Sequence, residues 1–174
     1  MFKKILCPLD GSDPARHAVS KAIELARQDE AELVLLHVLL RNADATGLAR
    51  FAEIEGLTSH IDAEVNRLRA VDGRVDIGHT TYDESRASSR VLVELGQHLL
   101  DDARFDATEQ GLHAVETVLA DGDPAEVILR CVEDQHADCI VMGGRGLSGL
   151  KAFLLGSVSY KVANQAPCTV IIVK

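Results

Sequence analysis

Short apolar runs alternate with helical periodicities along the chain. Residues 3–9, 32–39 and 139–142 form apolar stretches that end at turn-forming residues. Such runs are typical of buried strands. Between the first two, small apolar residues recur every three or four positions over 14–28, which predicts an amphipathic helix packed closely on a sheet. Strands that alternate with helices in this way indicate an α/β fold with a parallel sheet.

The remaining elements continue this alternation. Residues 113–119 alternate imperfectly between apolar and polar, and 168–173 are almost entirely apolar, so each predicts a further strand. Helices are predicted over 85–105, from Pro124 onward and over 158–165. The pattern therefore contains five strands, and each strand after the first is preceded by a helical pattern.

Five parallel strands joined by right-handed crossovers are most simply ordered 3-2-1-4-5, with helices on both faces. We therefore predict one Rossmann-like, three-layer α/β/α domain over residues 1–174. Strand 1 lies beside strand 4 in this order. The turn at Asp10 and the loop at Gly143 are then expected to meet where the strand order reverses, which is where ligands bind in open α/β sheets.

Two helix starts carry capping signals. Asp13 followed by Pro14 predicts an N-cap and a proline at the first helical position. Asp123 followed by Pro124 repeats this signal, with Glu126 at the third helical position as in a capping box.

Charge and cysteine content exclude several classes of protein. The net charge of −9 argues against nucleic-acid binding, which needs a basic face. No apolar run is long enough to span a membrane, and the amino-terminal residues enter a strand without a signal peptide, so a cytoplasmic location is expected. The four cysteines lack paired metal spacing, and three lie within apolar runs. They are expected to be buried, reduced thiols.

The stretch 143–149 is rich in glycine and joins a predicted strand to a predicted helix. Glycines there would let a backbone approach a ligand, and a helix start offers N–H groups that suit phosphate. Residues 144–149 match G-x-G-x-x-G, but 150–174 lack the acid that a dinucleotide site needs. The P-loop and nucleophile-elbow motifs are not matched either. The pattern itself leaves open that the glycines only turn a strand into a helix.

Two polar residues near the strand ends have more than one interpretation. Asp10 follows the first strand, where a carboxylate can reach the ribose or the metal of a ligand. A turn aspartate that accepts hydrogen bonds from its own backbone is the alternative. His37 lies within a strand and is interpreted as a packed core histidine rather than a ligand.

Several motifs resemble one known family. The spacing Gly143-x2-Gly146-x9-Gly156-Ser157 resembles the nucleotide-binding signature of the universal stress proteins. The stretches 3–12, 35–38, 122–125 and 166–170 resemble its first strand and acidic turn, its second strand, its third-strand exit and the entry to its last strand. The likeness covers roughly residues 1–40 and 111–174.

The resemblance implies an adenine nucleotide alpha hydrolase-like fold that binds ATP (or ADP or AMP) together with Mg²⁺. It implies that Asp10 contacts the ribose and is the candidate Mg²⁺ ligand. It implies that the phosphate loop begins at Arg145 and Gly146. The nucleoside contacts implied are Pro8, Leu9, Asp10, Val38, Met142 and Gly143, and the phosphate contacts at the helix start are Gly156, Ser157 and Val158.

The segment 41–110 looks enlarged for the family. It contains eight arginines against fourteen acidic residues, which indicates a solvated face. Helical patterns over 48–68 and 85–105 predict a helical excursion that flanks the nucleotide cleft or a dimer surface. The histidines at 60, 79 and 98 are not spaced as a metal site.

The last strand, Val170 to Val173, has no acid or proline to discourage edge pairing. The resemblance implies a homodimer through this strand. It also favours a nucleotide-dependent stress-response or signalling module. No base is evident for phosphoryl transfer, which needs a positioned nucleophile. A weak Mg²⁺-dependent ATP hydrolase or phosphotransferase, and a dimeric scaffold that binds no nucleotide, are the alternatives.

Overall fold

The computed structural model describes residues 1–39, 83–146 and 155–174. The helical pattern predicted over 48–68, the histidines at 60 and 79, and the stretch 147–154 lie outside the described residues.

Nine elements alternate along the described chain in the predicted sequence of strands and helices. They are β1 (Lys4–Pro8), α1 (Asp13–Asp29), β2 (Glu32–Leu39), α2 (Asp83–Glu109), β3 (Val115–Asp121), α3 (Pro124–Gln135), β4 (Cys139–Gly143), α4 (Ser157–Gln165) and β5 (Thr169–Val173).

The five strands form one parallel sheet in the order β3-β2-β1-β4-β5, which confirms the predicted topology. The extent of pairing differs along the sheet. β2 pairs with β3 over seven positions, from Leu33 with Val115 to Leu39 with Asp121. β1 pairs with β4 at only two positions, Ile5 with Cys139 and Leu6 with Ile140. The shortest ladder therefore lies where the strand order reverses.

Alternate residues of the central strands feed two separate hydrophobic cores, because successive side chains in a strand point to opposite faces. On one face, Cys7 and Val141 pack with residues of α1 and α2. On the other face, Leu6 and Met142 pack with α3 and α4. The three-layer α/β/α architecture is thus confirmed, with both sheet faces covered by helices.

One predicted helix start is wrong by one residue. The N-cap of α1 is Ser12, whose Oγ accepts a hydrogen bond from the Ala15 N–H at 3.4 Å, and not Asp13. Asp13 lies inside the first turn, where its carboxylate pairs with Arg16 at 2.8 Å. Pro14 therefore occupies the second helical position, where its missing N–H again costs no intrahelical bond. The N-cap at Asp123 is confirmed by the Glu126 N–H, which donates to Asp123 Oδ1.

The helix predicted over 85–105 extends from Asp83 to Glu109. Two residues after its last helical residue, Gly111 adopts φ = 83° and terminates the helix. The N–H of Gly111 donates to Thr108 O, and the N–H of Leu112 donates to Ala107 O. These two bonds form a Schellman motif, whose apolar member Leu112 is buried. The last turn is polar, so the apolar periodicity of the sequence did not predict this extension.

The four cysteines are free thiols, of which Cys7, Cys131 and Cys139 are buried and Cys168 is partly buried. Burial raises the pKa of Cys139 to about 12, so this thiol is protonated at neutral pH. Within the described ranges, no helix has both the length and the apolar character needed to cross a membrane.

Candidate switch-point site

The Asp10 carboxylate is held by the start of α1. Its Oδ1 accepts hydrogen bonds from the Ser12 N–H at 3.1 Å and from Ser12 Oγ at 2.6 Å. The same Ser12 hydroxyl caps α1 through Ala15. The alternative interpretation of Asp10 as a turn residue is therefore correct for one carboxylate oxygen, and the turn fixes the position of the other oxygen.

That other oxygen, Asp10 Oδ2, lies against Gly146. A Cβ built on Gly146 would collide with it. Asp10 follows β1 and Gly146 follows β4, so the two loops meet beside the shortest ladder of the sheet, as the strand order predicts. A side chain at position 146 would displace the Asp10 carboxylate from this position.

Gly143 is closed in by protein. A Cβ there would lie 2.9 Å from the carbonyl carbon of Pro14 and 3.0 Å from both the Ala15 nitrogen and the Pro14 oxygen. These are backbone atoms of the first turn of α1, so they cannot rotate away. Gly143 therefore lets β4 end directly against the start of α1, and its absent side chain is filled by the fold.

Gly156 stands in a different environment at the start of α4. It is the N-cap, and a Cβ there would meet its nearest atoms, including Arg145 Cα and Gly144 O, at 3.5 Å. That is an ordinary van der Waals distance. Position 156 has room for a small side chain, and the exit of β4 lies next to the entry of α4.

The Gly156 N–H donates to Gly144 O at 2.8 Å. This bond does not fit the expectation that Gly156 donates its own N–H to phosphate. Ser157 and Val158 follow in the first turn, where N–H groups have no carbonyl one turn earlier in the helix. Among the residues that the structure describes, no side chain caps this helix at Gly156. The first turn of α4 therefore presents uncapped donors and the positive end of the helix dipole.

The expected nucleoside contacts lie at the carboxyl ends of the central strands. Pro8 ends β1, and the N–H of Leu9 continues the ladder by donating to Leu36 O at 2.9 Å. Val38 and Met142 belong to the core on the α3 and α4 face, and they are 8% and 5% exposed. Most of each side chain is thus already packed against protein. What they offer to a ligand is a narrow apolar edge.

His37 is a core histidine, as interpreted, and it also supports the site. It is 3% exposed, and its Nδ1 lies 2.9 Å from Leu9 O. Since a carbonyl only accepts, Nδ1 carries the proton of this bond. Burial lowers the pKa of His37 below its usual 6.5, while the bond to Leu9 and the charge of Asp10 oppose that shift.

Helix α2 reaches His37 through a glycine. A Cβ built on Gly96 would lie 2.7 Å from His37 Cδ2 and 2.8 Å from Leu119 Cδ1. The contact connects α2 to the Leu9 carbonyl, one residue before Asp10. Among the described residues, no group of three His, Cys, Asp or Glu could hold a metal ion.

A cleft of about 600 Å³ lies away from these residues, between α1 and the edge strand β5. It is lined by Lys21, Glu24 and Ile171, among others, and by none of the residues expected to contact a nucleotide.

Sequence reasoning did not foresee the hydrogen bonds by which three polar residues shape the site. Ser12 anchors Asp10, His37 anchors the Leu9 carbonyl, and Ser159 donates to Gly144 O at 2.8 Å. Ser12 and Ser159 each occupy a helix start, where a hydroxyl commonly finds backbone partners, so this position was an available signal. The partner of His37 depends on the register of two strands and carried no local signal.

The chain matches the model of the universal stress protein family over residues 1–174. Universal stress protein YxiE of Bacillus subtilis (strain 168) is 36% identical over 174 residues, which are 100% of each chain. Universal stress protein MJ0531 of Methanocaldococcus jannaschii is 31% identical and is matched over 100% of this chain and 83% of its own length.

Solved structures share the fold. Universal stress protein UspA from Lactobacillus plantarum has a TM-score of 0.67 and 21% identity, covering 99% of this chain and 97% of that one. A universal stress protein in complex with cAMP has a TM-score of 0.59 at 22% identity, covering 99% and 97%. One from Archaeoglobus fulgidus in complex with dAMP has a TM-score of 0.58 at 19% identity, covering 100% and 98%.

Proposed function

Since the chain belongs to the universal stress protein family, we propose that it binds an adenine nucleotide, and ATP in particular, where β1 meets β4. The observation that carries the proposal is the contact between Asp10 and Gly146 beside the uncapped start of α4. A carboxylate suited to ribose hydroxyls and backbone donors suited to phosphate lie within one edge of the sheet. The relatives solved with cAMP and with dAMP support adenine nucleotides as the ligand class.

The nucleotide would lie across the ends of the central strands. The base and ribose would contact Pro8, Leu9, Asp10, Val38 and Met142 at the ends of β1, β2 and β4. Gly143 would contribute space rather than contacts, since α1 already closes it in.

The phosphates would extend toward α4. The phosphate loop would begin at Arg145 and Gly146, since Arg145 Cα lies beside Gly156 at the start of α4. The N–H groups of Ser157 and Val158 would donate to the phosphate oxygens. Gly156 would contribute by adding no side-chain oxygen of its own at this position. Phosphate would thus be held mainly by backbone donors.

Magnesium would be held largely by the phosphates. Mg²⁺ commonly takes one or two protein carboxylates, with phosphate and water completing its shell. Asp10 could be such a carboxylate ligand, because its Oδ1 accepts hydrogen bonds from Ser12 while its Oδ2 faces Gly146. The ion would neutralise phosphate charge in a chain that is itself acidic.

The described site favours binding over turnover. Phosphoryl transfer requires a positioned nucleophile or base at the γ-phosphate. Asp10 is the carboxylate that the described strand ends bring to the site, and its Oδ1 already accepts two bonds from Ser12. We therefore assign a nucleotide-dependent stress-response or signalling role in the cytoplasm, with slow Mg²⁺-dependent hydrolysis as the alternative.

Mass spectrometry of the nucleotide released from freshly purified, heat-denatured protein tests the proposal, followed by ATP titration with and without Mg²⁺. Bound ATP that stays intact for hours is the expected result. ADP or AMP that accumulates with time would favour the hydrolase. Absence of any bound or bindable adenine nucleotide would overturn the proposal and leave a scaffold.

A pair of substitutions at one position separates binding from folding. In Gly156→Asp the new carboxylate should cap the first-turn N–H groups in place of phosphate, because the N-cap backbone is already extended at φ −64° and ψ 157°. ATP affinity should fall at least about tenfold while stability is kept. Gly156→Ala is the matched control and should retain most of the affinity. Unchanged ATP affinity in Gly156→Asp would contradict the phosphate assignment.

We also propose a homodimer through β5. Within the described ranges this strand pairs only with β4, and its residues Val170 to Val173 are half-buried. An apolar edge strand of this kind pairs readily with a second copy across a two-fold axis. Light scattering at micromolar concentration should give twice the mass of the chain, and a monomer would refute the dimer.

A further inference from the structure

We infer that Ser159 is a positioning residue, which fixes the start of α4 against the end of β4 and thereby sets the affinity for the phosphate part of the ligand. The inference rests on the proposed function for its ligand. Its structural part stands on three hydrogen bonds made by the backbone N–H and C=O of one residue, Gly144.

Gly144 is held on both sides. Its N–H donates to Val173 O at 2.7 Å, which extends the β4–β5 ladder past Gly143. Its carbonyl accepts from the Gly156 N–H at 2.8 Å and from Ser159 Oγ at 2.8 Å. A carbonyl oxygen has two lone pairs, so these two donors complete its capacity. The sheet and the helix start are therefore joined through one residue, Gly144, whose backbone N–H and C=O are both fully bonded.

Ser159 is placed to do this and little else. It is 2% exposed, and its Oγ also lies 3.0 Å from Gly156 O. Since a hydroxyl has one proton, the two carbonyl oxygens share it. Gly156 O already accepts the first intrahelical bond, from the Tyr160 N–H at 2.9 Å. The hydroxyl thus links the strand exit and the N-cap carbonyl from inside the protein.

This arrangement fixes the helix start without using its first-turn N–H groups, which a usual N-cap side chain would occupy. A serine or aspartate at the N-cap anchors a helix start by accepting from the N–H groups of its first turn. The same groups would then be unavailable to an anion. Here the N-cap is glycine, and the anchoring hydroxyl sits three residues later and bonds to carbonyl oxygens. Within the described part of the chain, the helix start is thus fixed while its first-turn N–H groups receive no side-chain cap.

Loss of the Ser159 hydroxyl should therefore loosen the spacing between β4 and α4 without removing a ligand contact. The affected ligand part is the phosphate, because the nucleoside contacts lie on β1, β2 and β4. A binding site held in advance of ligand binds more tightly because less ordering remains to be done.

Hydrogen exchange tests the structural part without nucleotide. In Ser159→Ala and in the near-isosteric Ser159→Cys, the Gly156 amide should exchange at least about fivefold faster than in the wild type, since one hydrogen bond that supports it is lost. Tyr160→Phe, which removes an exposed hydroxyl from the same turn, should not change this rate. An unchanged Gly156 rate in both Ser159 variants would overturn the inference.

Calorimetry tests the functional part. ATP and ADP should bind about fivefold more weakly to Ser159→Ala and Ser159→Cys, while adenosine affinity should stay within about twofold of the wild type. Ser159→Thr keeps the hydroxyl and should therefore bind ATP and ADP with about the affinity of the wild type. Equal losses for adenosine and ATP would overturn the positioning role. If the wild type binds no adenine nucleotide, the proposed function fails, and the exchange result still decides whether Ser159 fixes the helix start.

Discussion

Gly143 and Gly156 belong to one spaced motif but occupy opposite environments. A Cβ at Gly143 would press on the backbone of α1, whereas a Cβ at Gly156 would meet nothing closer than 3.5 Å. The first glycine lets two elements pack, and the last leaves a helix start without a side-chain cap. Motif glycines thus allow close packing at one end and leave an open N-cap at the other, and Gly146, which lies against Asp10, stands between them in the motif.

The largest expected effect is that of Gly143→Ala. The new methyl group would face backbone atoms at 2.9 to 3.0 Å, and relief requires that α1 moves away from β4. Overpacking of this kind typically costs about 1–3 kcal/mol, and we expect about 3 kcal/mol because the neighbours are main-chain atoms. Urea denaturation measures the change.

Gly156→Ala is the matched comparison for that measurement. It should lower the free energy of unfolding by about 1 kcal/mol or less, because alanine is a poorer N-cap than glycine but meets no close neighbour here. Similar losses of unfolding free energy in Gly143→Ala and Gly156→Ala would contradict the distinction between a packed and an open glycine.

An intermediate effect is expected for Gly96→Ala, on the packed side of the comparison. Alanine favours the helix by about 1 kcal/mol over glycine. The methyl group would nevertheless overlap the His37 and Leu119 side chains, at 2.7 and 2.8 Å. We expect a net loss of about 1–2 kcal/mol in unfolding free energy. Gln97→Ala, at an exposed position of the same helix, should stay within about 0.5 kcal/mol of the wild type, and stabilisation by Gly96→Ala would contradict the close contact.

The smallest effect concerns pH. Burial lowers the pKa of His37 below 6.5, so the unfolded chain binds a proton before the folded protein does. The contribution of His37 to the free energy of unfolding is fully present above pH 6.5 and is lost as the pH falls below that value. The midpoint of urea unfolding should therefore drop less between pH 7.5 and pH 5.5 in His37→Gln than in the wild type. Parallel curves for the two proteins would show that His37 does not titrate differently on folding.

The fold could be predicted because its signals are local. The run 32–39 is apolar and bounded by turn residues, and β2 has those bounds. Strand order followed from crossover rules, and it placed Asp10 near Gly146 before any contact was known. The limits of β3 shifted from His113 to Val115, because the sequence alternates weakly there.

The candidate site could be predicted only in part. Its anchors are contacts between residues far apart in sequence, such as Ser159 with Gly144, or Gly96 with His37. No periodicity encodes them. The N-cap of α1 was misplaced for a different reason: Ser12 and Asp13 are both good caps, and only the geometry at Asp10 selects Ser12.

The two-position ladder between β1 and β4 divides the sheet into halves that are also continuous in the chain. Residues 1–121 supply β3, β2 and β1, and residues after 121 supply β4 and β5. Helix α1 crosses the boundary, because it follows β1 and packs on β4 at Gly143. A nucleotide bound by Asp10 on one side and by α4 on the other would contact both halves and hold them together. Its first mechanical consequence would be to suppress partial opening along this boundary, well before global unfolding is affected.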